Sequence, residues 1–226
     1  HKFGGDATVI QAQWDALPNY IGDELVLPMC DVSGSMSTPV GGNANLTCMD
    51  VCVSLVLYLA DKNTGPFKDM FLTFSAKSKI EILKGDLLSK LAQLQRADWD
   101  MNTNLHAAFD TVLDFAVKGN VDTKYMPKYV LIMSDMEFDQ CAKHDDSAME
   151  MIARKYEAAG YTVPNIVFWN LNARAGNVPV KHDKKGVALV SGFSPAIMAS
   201  LLGADVEQFT PEGVMLKTVM VPRYDI

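Results

Sequence analysis

Short apolar runs alternate with amphipathic segments along the chain. Leu25-Val26-Leu27-Pro28-Met29-Cys30 predicts a strand buried on both faces, although Pro28 weakens it. Met70–Phe74, Tyr129–Met133 and Asn165–Trp169 predict three more continuous, centrally placed strands. Lys79-Ile80-Glu81-Ile82-Leu83 alternates, so Ile80–Leu83 predicts a half-exposed edge strand, and Val187–Val190 predicts a sixth. Between them, apolar residues recur at helical spacing over 46–60, 87–94, 105–116 and 148–159. Lys118-Gly119 and Gly160 stand where helix C-termini favour them, and Ser194-Pro195 and Thr210-Pro211 predict two further helix starts.

Strands alternating with helices imply one α/β domain. Its expected form is a three-layer, doubly wound, mostly parallel sheet of about six strands with helices on both faces. Residues 1–20 read as an N-terminal extension, and residues 21–226 as a single domain, expected to be the C-terminal part of a longer protein. Sheets of this kind place ligands outside the carboxyl ends of their strands, so the loops after Cys30, Phe74, Met133, Trp169 and Val190 carry the functional interest.

The loop after the first strand reads Asp31-Val32-Ser33-Gly34-Ser35-Met36. A carboxylate and two hydroxyls at i, i+2 and i+4 point to one side of an extended or gently turning segment, and Gly34 permits a bend between the hydroxyls. All-oxygen donors suit Mg²⁺, Mn²⁺ or Ca²⁺ and not a thiolate-seeking metal. One loop supplies too few ligands. Asp100-Met101-Asn102-Thr103-Asn104 and Asp135, just after the Tyr129–Met133 strand, can supply the rest.

This arrangement resembles the metal-ion-dependent adhesion site (MIDAS) of von Willebrand factor A (vWA) domains, and the order of elements follows that family from about Ile21 to Val219. The likeness is to intracellular members, such as the C-terminal part of the two-part Ro/TROVE ring proteins, which bind small RNAs. The Ser191-Gly192-Phe193-Ser194-Pro195 stretch resembles a second group, whose A domain follows a helical half, and across the family the resemblance implies one short antiparallel edge strand, which Ile80–Leu83 fits. The resemblance implies that Ser33 and Ser35 bind the metal directly, Thr103 directly or through water, and Asp31 and Asp135 directly or through waters. One position would remain open for a Glu or Asp carboxylate from a protein partner. Many members have Gly before that Thr, where this chain has Asn102. Any RNA contact would come through the part of the full-length protein outside this chain.

The formal charge of −7 argues against a broad basic face for nucleic acid. No apolar run approaches the roughly 18 residues of a membrane span. Cys30, Cys48, Cys52 and Cys141 lack CxxC spacing, and His1, His106, His144 and His182 do not cluster. The thiols therefore read as buried and reduced, with a cytoplasmic setting. Glu137, Asp139, His106 and the Lys181–Lys185 run read as surface or supporting groups. The expected function is a metal-dependent interaction module without catalysis, in an RNA-associated or assembly protein. The alternative is a phosphotransfer or phosphatase enzyme with Asp31 as nucleophile. It lacks a second carboxylate two residues on and has only Lys77 as a nearby cation.

Overall fold

A computed structural model of the chain describes residues 6–31, 33–40, 43–73, 78–97, 105–135, 146–172 and 187–192. Strands β1 (Val26–Cys30), β4 (Met70–Thr73), β5 (Ile80–Ile82), β6 (Tyr129–Ser134), β7 (Asn165–Asn170) and β8 (Val187–Ser191) form one six-stranded sheet. Its order is β5-β4-β1-β6-β7-β8. Only the β4–β5 pair is antiparallel. The four continuous apolar runs are therefore interior strands, and the alternating one lies at the rim.

Side chains of period two divide the interior between two cores. Val26 and Cys30 of β1, Leu131 and Met133 of β6, and Val167 and Trp169 of β7 face helix α2 (Cys48–Lys62). Leu27, Met29, Val130, Ile132, Ile166 and Phe168 face the opposite way, toward α4 (Leu105–Lys118) and α5 (Asp146–Ala158). Helix α3 (Leu87–Arg96) joins the α2 side through Leu94. Each central strand thus needs apolar residues at consecutive positions, and that is why the runs are unbroken.

Pro28 is tolerated for a geometric reason. Asp31 N–H donates to Met133 C=O at 2.9 Å, so the odd-numbered N–H groups of β1 face β6 and the even-numbered ones face β4. Pairing with β4 begins only at Met29, so the N–H that Pro28 lacks has no partner to lose. The Val26 carbonyl, on that same side, instead accepts from Asn63 Nδ2 at 2.7 Å.

Two elements departed from expectation. The loop after β1 contains a 3-10 turn at Gly34–Ser37 and is followed by a hairpin of β2 (Pro39–Val40) and β3 (Asn43–Thr47), whose last residues take the start of the helical stretch expected over 46–60. Helix α2 consequently starts at Cys48, later than the apolar pattern implies. Thr47 and Asp50 close it with a capping box: Asp50 N–H donates to Thr47 Oγ1 (3.1 Å) and Thr47 N–H to Asp50 Oδ2 (3.0 Å).

The second departure is α1 (Ala7–Asp15), within the stretch read as an extension. Trp14 Nε1 donates to Asp61 Oδ2 at 3.1 Å, and its ring meets Tyr58 edge-on at 6.4 Å. Gln11 Oε1 accepts from Leu87 N–H at the start of α3. These contacts tie α1 to α2 and α3. The helix starts expected at Ser194 and Thr210 lie outside the described residues.

Candidate metal centre

The chain leaves β1 toward β4 on one side, then returns through α3 and α4 to lay β6 on the other. The carboxyl ends of β1 and β6 therefore meet at the point where the strand order reverses, which is where doubly wound sheets bind ligands. Asp31 follows β1 directly and Asp135 follows β6 directly. Both are 4% exposed.

Asp31 is held at three points. Its N–H donates to Met133 C=O (2.9 Å), its Oδ1 accepts Ser33 N–H (2.9 Å), and its Oδ2 accepts the Ser134 hydroxyl (2.6 Å). The Ser33 bond is the side-chain-to-backbone turn that Asp favours after a strand. Burial pushes the Asp31 carboxyl above its usual range. The bonds from Ser134 and Ser33 pull it back, and the negative charge of Asp135 adds to the rise.

Ser33 and Ser35 come together, their Oγ atoms 3.0 Å apart and both partly exposed. The 3-10 turn brings them there. Met36 N–H donates to Ser33 C=O at 3.0 Å and Thr38 N–H to Ser35 C=O at 2.9 Å. The segment was expected to be extended or gently turning, with Gly34 permitting a bend. Gly34 instead adopts no left-handed φ and an added Cβ would meet open space, so the turn and not a glycine-only conformation makes the bend. Met36, 0% exposed, pins this turn into the core beside α2.

Four of the five expected ligand residues, Asp31, Ser33, Ser35 and Asp135, are thus brought to one corner of the sheet. Thr103, the fifth, lies outside the described residues, as do Glu137, Asp139, Lys77, His144, His182 and Lys181–Lys185. His106, on the first turn of α4, places Nδ1 3.2 Å from Asp110 Oδ2, and Lys155 reaches the same carboxylate at 2.8 Å. The residue that sequence reasoning missed is Ser134. Its one signal was a hydroxyl directly before an Asp at a strand end.

The donor set fits a hard divalent cation. It combines two buried carboxylates with two hydroxyls, and a cation beside Asp31 and Asp135 would offset the repulsion between them. Among the described residues, no three His, Cys, Asp or Glu side chains gather as a metal cluster, and the described oxygen donors at this corner are two carboxylates and two hydroxyls. Thiolates are not on offer. Cys30, Cys48 and Cys52 are fully buried and in no disulfide among the described residues, and burial pushes the Cys52 thiol well above its usual range. Cys141 lies outside the described residues.

Fold and site together define a doubly wound α/β domain with an all-oxygen cluster at its switch point. The chain belongs to the family described as a domain of unknown function, DUF7788, whose model matches residues 26–220. It is 30% identical over 215 residues to the uncharacterized protein L728 of Acanthamoeba polyphaga mimivirus, an alignment covering 92% of this chain and 36% of that protein. Its fold is similar to the crystal structure of the Ro (RSR) protein of Deinococcus radiodurans. The TM-score is 0.57 at 18% identity, over 87% of this chain and 37% of that one. The chain spans little more than a third of either relative's length. Among the described residues, no helix is long and apolar enough to cross a membrane.

Proposed function

We propose that this domain is a metal-ion-dependent recognition module of the von Willebrand factor A type, with Asp31, Ser33, Ser35, Thr103 and Asp135 as its MIDAS residues. The carrying observation is the convergence of Asp31, Ser33, Ser35 and Asp135 at the adjoining ends of β1 and β6. A Mg²⁺ ion, or Mn²⁺ or Ca²⁺, bound there would take oxygens from these five residues and keep at least one coordination position open, since such ions take about six or more oxygen ligands. A Glu or Asp side chain from a protein partner completes its coordination.

Recognition without turnover suits Asp31 as a carboxylate held in place by Ser33 and Ser134. The fully buried thiols suit a reducing, cytoplasmic setting. Any RNA contact belongs to the part of the protein outside this chain.

Calorimetric titration with Mn²⁺ tests the metal, comparing the wild type with Asp31→Ala. Pull-downs with Mg²⁺ or with EDTA test the partner. The wild type should bind Mn²⁺ and retain partners only with metal, and Asp31→Ala should do neither. Equal Mn²⁺ binding by both proteins removes Asp31 from the site. A partner set indifferent to EDTA and to the mutation refutes metal-mediated recognition, and metal-dependent phosphoester turnover lost in Asp31→Asn would replace it with the enzyme reading.

A further inference from the structure

The residue that does most to immobilise Asp31 is not one of the proposed ligands. Ser134, the last residue of β6, is 0% exposed and donates its hydroxyl to Asp31 Oδ2 at 2.6 Å, a short bond of the charge-assisted kind. Ser134 is itself held firmly. It pairs with Asn170 in the β6–β7 register, and its carbonyl accepts Leu171 N–H at 2.9 Å. Its neighbour Met133 takes the Asp31 N–H. Two of the three bonds that fix Asp31 therefore come from the last two residues of β6, and only one comes from Asp31's own loop.

We propose that Ser134 is a positioning residue that tunes this centre to Mg²⁺ and Mn²⁺ over Ca²⁺, an inference that rests on the metal-centre reading above. A carboxylate has about four lone-pair directions, two on each oxygen. The Ser33 N–H takes one on Oδ1 and the Ser134 O–H takes one on Oδ2. These donors, on both oxygens, restrict rotation of the carboxylate, so the lone pairs that remain point in fixed directions. That geometry favours Mg²⁺, which demands a near-octahedral shell at about 2.0–2.1 Å and gains from a ligand held still. Ca²⁺ takes roughly six to eight oxygens at about 2.3–2.6 Å, often with a bidentate carboxylate, and gains little.

The test compares the 226-residue chain as wild type, Ser134→Ala, Ser134→Thr and Ser134→Cys. Mn²⁺ binding is read by titration and Ca²⁺ binding by competition, with thermal unfolding in EDTA alongside. Ser134→Ala should lose on the order of 10-fold to 100-fold in Mn²⁺ affinity, the range for removal of a partner that orients a ligand. Its Ca²⁺ affinity should fall clearly less, so the Mn²⁺/Ca²⁺ preference narrows. Ser134→Thr keeps the hydroxyl and should keep the wild-type preference. Should Ser134→Ala fail to fold, Ser134→Cys, similar in size with a weaker donor, carries the same comparison.

A parallel fall for both ions, tracking a lower melting temperature in EDTA, would mean a merely structural role and overturn the proposal. So would an equal loss in Ser134→Thr and Ser134→Ala. Unchanged Mn²⁺ affinity in Ser134→Ala overturns it while leaving the metal reading intact, whereas a wild type that binds no Mn²⁺ overturns both.

Discussion

Replacing Asp31 by Asn should stabilise the metal-free protein while abolishing its response to metal. Asn keeps the shape of Asp and both of its hydrogen bonds. Its Oδ1 can accept the Ser33 N–H, and its Nδ2 can donate to Ser134 Oγ once that hydroxyl rotates. Nothing is lost on that side. What goes is a charge that is 4% exposed and lies beside Asp135. Because burial raises the Asp31 pKa, the native state holds its proton to higher pH than the unfolded chain does. Stability in EDTA therefore falls as pH rises from the ordinary carboxylate range through the native pKa, and it stays lowered at neutral pH. Asp31→Asn removes that loss, for a gain of about 1 kcal/mol, within the range of about 0.5–2 kcal/mol for single stabilising substitutions. For a chain of this length that is roughly 2–4 °C in melting temperature. Mg²⁺ at a hundred times its dissociation constant should stabilise the wild type by about 2.7 kcal/mol and leave the variant almost unmoved. Scanning calorimetry at several pH values, with EDTA and with Mg²⁺, reads all of this. An Asp31→Asn protein less stable than wild type in EDTA at neutral pH would refute the electrostatic account. An equal Mg²⁺ shift in both would remove Asp31 from the centre.

Met36→Ala should weaken metal binding without touching a ligand oxygen, because Met36 anchors the Ser33–Ser35 turn from inside the core. Urea unfolding should show a loss of about 2–4 kcal/mol, and an unchanged Mn²⁺ affinity would mean the turn holds its shape unaided. Lys90 bridges Asp61 (3.0 Å) and Asp69 (2.6 Å) with its own side chain 13% exposed. Lys90→Met leaves two carboxylates facing each other and should cost about 1–2 kcal/mol by urea unfolding. At Asp61 burial pushes the pKa up, but the Lys90 and Trp14 bonds outweigh it and hold the carboxyl below its usual range. Its stabilising share is thus present above the ordinary carboxylate pKa and lost as pH falls through the lowered one. Lys90→Met should flatten that acid limb, and an unchanged limb would show that Lys90 does not set it.

Much of this architecture was legible from residue order alone. A strand covered on both faces must be apolar at every position, and one at a rim need not be. Unbroken runs at Val26–Cys30, Tyr129–Ser134 and Asn165–Asn170 therefore mark interior strands, and the alternation at Ile80–Ile82 marks an edge. Asp31, Ser33, Ser35 and Asp135 were legible too, because strand ends in such a sheet gather at one rim. Three features were decided only in three dimensions. The hairpin after Met36 rests on pairing between residues that carry little apolar signal, since β3 is exposed along most of its length. Helix α1 holds no buried residue of its own and takes its place from Trp14 and Gln11 reaching α2 and α3. Ser134 reads in sequence as one more small residue at a strand end. Only the parallel register of β1 with β6, which sets Cys30 against Met133, carries its hydroxyl to a carboxylate 103 residues away in the chain. Local pattern reports how much of a residue is buried, whereas which polar group meets which depends on strand order and register, and those are properties of the assembled sheet.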